Sequence, residues 1–158
     1  MELGNEYSIF NKEGFQVVGL KWTGTFAEAA AGEIRKVHNE MHQRLGEIEH
    51  VLDPDKLLGL SYQNIPGGFT HYAAVLVDRA EEIPEGMEAV TVPASAYARY
   101  EHAKEQDISE SYSRIYAWIE GQGYKPNVGE YTHLEEYPMQ QDPFTPDPQF
   151  VIMIPIEK

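Results

Sequence analysis

One order of elements (strand, helix, strand, strand) runs through the chain twice, and nothing else in the sequence limits its fold as tightly. Residues Phe15 to Thr25 are rich in β-branched and aromatic side chains, the pattern of a strand. Thr25 and Glu28 have capping-box spacing. Ala30, Ile34, Val37, Met41 and Leu45 then recur at helical intervals, which predicts a helix of about five turns. Gly32 falls inside it and implies close packing there, because an interior glycine otherwise costs about 1 kcal/mol relative to alanine. Leu57 to Gln63 and Thr70 to Asp78 are apolar runs divided by Ile65-Pro-Gly-Gly68, a hairpin. Met87 to Val92 alternates as a further short strand. The order then returns. A strand over Ala96 to His102 precedes a helix with Ile108, Tyr112, Ile115 and Ile119 on one stripe, capped by Asp107 or Ser109. Strands over Glu130 to Tyr137 and Phe150 to Ile156 close the second unit. Pro155 predicts that the last strand ends, or reaches a sheet edge, at that point.

The pattern predicts an α+β chain, one domain over 1–158, with pseudo-repeats at about 15–80 and 87–157. Cysteine is absent, which excludes disulfides, thiolate metal sites and cysteine nucleophiles. The first residues carry neither a basic region nor an apolar one, and no stretch approaches the roughly 20 apolar residues of a membrane span, so a cytoplasmic protein is expected. A formal net charge of -14 repels phosphate backbones and anionic lipid, so direct nucleic-acid and membrane contacts are not expected.

Period two in the strand before the proline-rich loop puts Tyr131, His133, Glu135 and Tyr137 on one face. A carboxylate among aromatic side chains needs a partner, and Glu135 is either a counter-ion for a cationic ligand or a general acid or base, with a solvated rim position as the alternative. Ten tyrosines suit flat organic ligands and cations, and they also fill cores; Tyr112, Tyr116 and Trp118 on the second helix read as core by spacing. His38 and His42 share a helical face, but Asn39 stands where a metalloprotease needs its base, so the pair reads as a solvated face and no metal site is expected. Gly67-Gly68 is a turn and not a phosphate loop, no serine sits in a nucleophile elbow, and no cofactor is expected. The loop from Pro138 to Pro148 is long for a hairpin and is either mobile or a lip over something.

Four pieces of the second half resemble the GyrI-like small-molecule-binding family, which includes the effector-binding domains of AraC-type and MerR-type multidrug regulators. They are Tyr97-Ala-Arg-Tyr-Glu-His102, the helix from Tyr112 to Ile119 running into Gly123-Tyr-Lys-Pro126, Leu134-Glu-Glu-Tyr137, and Ile154-Pro-Ile156. The resemblance implies tandem SHS2-like β-α-β-β units, two main helices on an antiparallel sheet, and a ligand cleft between the halves. It makes Glu135 with Tyr137 the ligand contact, adds Tyr112, Trp118 and Met153, and Tyr62 of the hairpin completes the candidate set. Glu136 departs from the family pattern, where the position between glutamate and tyrosine is apolar; a register shift by one would exchange the roles of Glu135 and Glu136. Too few residues precede Phe15 for a helix-turn-helix, so a stand-alone binding domain is expected.

Three functions follow from this reading. The first is a protein that senses or sequesters aromatic, cationic, drug-like molecules. The second, which the family resemblance implies, is a hydrolase of strained electrophilic molecules in which Glu135 activates water and Tyr137 orients that water or donates a proton. The third is an acidic module that meets a protein partner, as in gyrase inhibition.

Overall fold

The computed structural model describes residues 7–127, 132–145 and 147–157. Nine strands form one antiparallel sheet. They are β1 (Ser8–Lys12), β2 (Phe15–Thr25), β3 (Lys56–Ile65), β4 (Gly68–Val77), β5 (Met87–Val92), β6 (Ser95–His102), β7 (Lys125–Pro126), β8 (His133–Pro138) and β9 (Phe150–Glu157). Among the described residues three α-helices accompany them, α1 (Phe26–Ala30), α2 (Glu33–Arg44) and α3 (Ile108–Gly121), and a 3-10 turn over Leu45–Glu47 follows α2. The sheet order is β1-β6-β9-β8-β3-β4-β2-β5, with β7 added on β9.

That order is a pseudo-two-fold. The units β2-α2-β3-β4 and β6-α3-β8-β9 meet at the β3–β8 pair, where Gly59 lies opposite Glu135. The strand that precedes each unit joins the other one: β1 pairs with β6, and β5 pairs with β2. Met87–Val92 therefore forms the edge of the first unit although it follows that unit in sequence. Only Glu13 and Gly14 connect β1 to β2, and only Pro93 and Ala94 connect β5 to β6, yet each connection joins strands near opposite ends of the sheet order. Spans this short require the sheet to roll until its ends approach. The two connections do run side by side, since a Cβ on Gly14 would lie 3.1 Å from the Val92 carbonyl.

The roll explains why the strands are apolar on both faces. Inside it lie Val17, Leu60, Tyr97 and Leu134, each fully buried although no helix among the described residues covers that face. The other face carries the helices, α2 over Val18, Val75 and Leu57 with Met41, and α3 over Ile152, Ile154 and Tyr100 with Ile115 and Ile119.

Local chemistry sets the helix ends. Thr25 and Glu28 form the reciprocal capping box, at 3.0 and 2.8 Å. Asp107, not Ser109, caps α3 by accepting from the Glu110 amide at 3.0 Å. α3 closes with Gly123 at φ 84°, the Tyr124 amide donating to the Ile119 carbonyl and the Gly123 amide to Glu120.

Several expectations are corrected. The first helix is not continuous: Gly32 adopts φ 102° between α1 and α2, and nothing lies within 4 Å of where its Cβ would be, so it marks a break and not a close contact. β1 went unforeseen. The strand expected over Glu130–Tyr137 runs from His133 to Pro138, with Thr132 just before it and Glu130 and Tyr131 outside the described residues. Pro155 neither ends β9 nor reaches an edge, for the strand continues to Glu157 between β6 and β7. Its carbonyl accepts from the Asn127 amide beside β7, so its missing N–H also points to that side and no bond to β6 is lost.

Candidate ligand-binding site

The cleft lies on the helical face, over the β3–β8 pair where the two units meet. α1 and α2 form one wall, α3 forms the other, and the space between is about 930 Å³, the size range of small-molecule sites. The loop after β8 contributes Gln141, Asp142, Pro143 and Pro148, so it is a lip over this space.

Glu135 is on the floor and 9% exposed. Period two puts it on the face of His133 and Tyr137, while Glu136 points the other way and pairs with Lys56 at 3.2 Å. The register question is thereby answered in favour of Glu135. Tyr137 donates to Glu135 Oε1 at 2.7 Å, and Tyr112, reaching across from α3, donates to Oε2. Burial, and then the neighbouring carboxylate, pushes both phenols well above their ordinary pKa, so both keep the protons they donate.

The opposite side of the floor is built from the first unit. Ser61, on the helical face of β3, hydrogen-bonds His71 Nδ1 at 3.0 Å, and His71 Nε2 meets His38 Nε2 of α2 at 3.1 Å. Gly59 makes this possible: a Cβ there would lie 2.8 Å from the His71 ring and 3.5 Å from Glu135 Oε1. Burial drives the His38 pKa down to about 4 and that of His71 well below the ordinary histidine value, with the neighbouring His38 and His133 adding to the fall at His71. Burial lowers His133 too, against the pull of Glu135 3.8 Å away. At neutral pH these imidazoles are uncharged. Among the described residues Glu135, held by the two phenols, has no Lys or Arg within ion-pair distance, while Arg35 on one wall and Asp142 on the lip add one charge of each sign to the cleft lining.

Of the residues read from sequence, Glu135, Tyr137 and Tyr112 come together here, while Tyr62, Trp118 and Met153 do not. Tyr62 follows Ser61 and so faces the inside of the roll, edge-on to Tyr72 with ring centroids 5.7 Å apart. Met153, between Ile152 and Ile154, faces the same way, 5% exposed beside Leu134. Trp118 lies six positions beyond Tyr112, about 120° around the helix, and stacks on Tyr7 at 5.2 Å in the core under α3. His38 is not on a solvated face: it is 6% exposed, and both it and His42 line the cleft. Its signal was present, since it follows Ile34 by four residues on the apolar stripe. His71 shares its strand face with Ala73 and Val75 in the same way. Tyr131 lies outside the described residues.

A family model for Cass2, integron-associated effector binding protein, matches residues 8–156. The chain belongs to this family. It is also 30% identical over 151 residues to the transcriptional regulator BrlR of Pseudomonas aeruginosa, a match covering 94% of the chain and 54% of BrlR, so the chain spans about half the length of that relative. Among solved structures, the EcmrR C-terminal domain superposes with a TM-score of 0.71 at 13% identity, covering 99% of each chain. SAV2435 bound to tetraphenylphosphonium superposes with a TM-score of 0.70 at 18% identity, covering 96% of this chain and 94% of that one. The GyrI-like effector-binding fold implied by the sequence is the fold found. Among the described residues of this Cass2 member, no helix is long and apolar enough to cross a membrane, and no three His, Asp or Glu side chains are placed to hold a metal ion.

Proposed function

We propose that this chain binds small organic cations bearing aromatic groups, and that it senses or sequesters them. The observation that carries this reading is Glu135: a nearly buried carboxylate, fixed from two sides by phenols on the floor of an aromatic cleft, with no Lys or Arg among the described residues paired to it. A cation entering the cleft gains the attraction of that charge in a medium drier than water, and the rings supply burial and π contact. Two relatives support the assignment. SAV2435 was solved with tetraphenylphosphonium, a lipophilic monocation, and BrlR is a transcriptional regulator, which favours sensing.

The test is calorimetric titration of wild type and Glu135→Gln with tetraphenylphosphonium and with the neutral triphenylphosphine oxide. The substitution keeps shape and removes charge, so the cation is expected to bind roughly ten- to a hundredfold more weakly while the neutral compound is unaffected. Equal cation affinity in the two proteins would sink the proposal. Recovery of the ligand at unchanged mass separates binding from hydrolysis.

A further inference from the structure

The imidazole pair has no part in holding Glu135, yet it lies in the same cleft. The two rings are 23° from parallel with centroids 5.3 Å apart. That separation, with the Nε2 atoms 3.1 Å apart, is the geometry of rings meeting edge to edge and not face to face, so the contact is a hydrogen bond with one proton between two nitrogens. At its far end, Ser61 both donates and accepts. The chain Ser61, His71, His38 therefore has two neutral arrangements. With the proton on His71 Nε2, Ser61 donates to His71 Nδ1, His38 Nε2 accepts, and His38 Nδ1 carries a hydrogen. With the proton on His38 Nε2, His71 Nδ1 donates to Ser61 and His38 Nδ1 is a bare acceptor. No hydrogen bond reaches His38 Nδ1 from the described residues, and His38 lines the cleft.

We propose that His38 Nδ1 is a second polar subsite of the cleft, backed by His71 and Ser61, and that the ligand for which the site is built is a cation that also carries a neutral hydrogen-bonding oxygen or nitrogen. This rests on the cation-binding reading above and narrows it. The relay makes the subsite indifferent to the sign of the group: a ligand acceptor selects the first arrangement and a ligand donor the second. In passing from first to second, His38 Nδ1 gives its proton to cleft water, His38 Nε2 takes the one on His71 Nε2, His71 Nδ1 takes that of Ser61, and Ser61, which also lines the cleft, takes one back from water. Burial that keeps both rings uncharged is what allows this, since a protonated pair would present only donors.

The probes are tetraphenylphosphonium, which has no hydrogen-bonding group, and its (4-hydroxyphenyl)triphenyl and (4-methoxyphenyl)triphenyl analogues, which keep its charge and nearly its shape. Wild type is expected to bind the two substituted cations roughly three- to tenfold more tightly than the parent, the value of one neutral hydrogen bond. His38→Phe is expected to abolish that preference, and Glu135→Gln to weaken all three cations together and preserve it. In protein labelled with nitrogen-15 at histidine, the methoxy compound is expected to fix His38 with its proton on Nδ1, and tetraphenylphosphonium to leave the tautomer mixture as in the free protein. Equal affinities for the three cations in wild type, or a His38 nitrogen spectrum that responds to none of them differently, would overturn the subsite while leaving cation binding intact. Failure of every phosphonium to bind would instead defeat the underlying cation reading and the subsite with it.

Discussion

Glu135 and the histidines facing it share one dry environment and are supported in it differently. Two phenols serve the carboxylate, whereas the imidazoles are kept neutral because burial outweighs the attraction of Glu135. This has a consequence for stability. Below pH 6.5 the unfolded chain binds protons at these histidines that the folded chain refuses, so stability is complete above about pH 6.5 and declines as pH falls toward 4. The fall of the His38 pKa from 6.5 to about 4 corresponds to roughly 3 kcal/mol across that range. Urea unfolding at pH 7 and pH 5 is expected to show wild type losing more stability than His38→Phe over the interval, and parallel losses would refute the assignment. Gly59 supports a second prediction at this scale. Its missing side chain is the space into which His71 leans, so Gly59→Ala, with 2.8 Å to the ring, is expected to cost roughly 1–3 kcal/mol by overpacking. Tetraphenylphosphonium affinity should fall with it, because His71 can yield only toward Glu135 or α2; calorimetry beside thermal unfolding reads both effects.

Among the elements, agreement and error have separable causes. β2 runs from Phe15 to Thr25 as read from its residues, because a long strand with apolar side chains on both faces and glycine near its end leaves little ambiguity. β1 escaped notice because Ser8–Lys12 is short and half polar, and only the exchange with β6 makes it a strand. The alternation through Glu135 and Tyr137 correctly put them on one face, but alternation does not say which face of a strand lies under the helices. Tyr62 and Met153 were therefore placed in the cleft when they face the inside of the roll. The His38–His71 bond joins residues 33 positions apart and could be found only once α2 was seen lying over β4. The break at Gly32 was hidden for another reason: the apolar period runs unaltered from Ala30 to Ile34, and periodicity does not register a single left-handed residue. Gly32→Ala distinguishes the two pictures by sign. In a continuous helix it would stabilise by about 1 kcal/mol; at φ 102° it is expected to destabilise by roughly 1–2 kcal/mol, measured as a lower urea midpoint.

At the scale of the whole molecule, the exchange of edge strands ties the two units to one another. The first unit is bordered by β5, which is encoded with the second, and the second by β1, which is encoded with the first; β3 and β8 pair between them. Neither unit alone has its full sheet, and the apolar interior of the roll, from Val17 and Leu60 to Tyr97 and Leu134, is drawn from both. The cleft is divided in the same way, with Ser61, His71 and His38 from the first unit and Tyr112, Glu135 and Tyr137 from the second. Cutting the chain in the exposed connection between Glu82 and Ile83 severs none of these pairings. Fragments 1–82 and 83–158 are therefore each expected to lack a cooperative unfolding transition, since each would expose the apolar face that the other covers and an unpaired edge where the exchanged strand belongs. Mixed in equal amounts they should form a one-to-one complex that regains both the transition and tetraphenylphosphonium binding, because the residues on the two sides of the floor are brought together only by the β3–β8 pair. Cooperative unfolding of either fragment alone would mean that the units are independently stable and that the exchanged strands are peripheral. Association without restored cation binding would mean that the roll forms, but that Glu135 is not presented to the cleft by the pairing of β3 with β8.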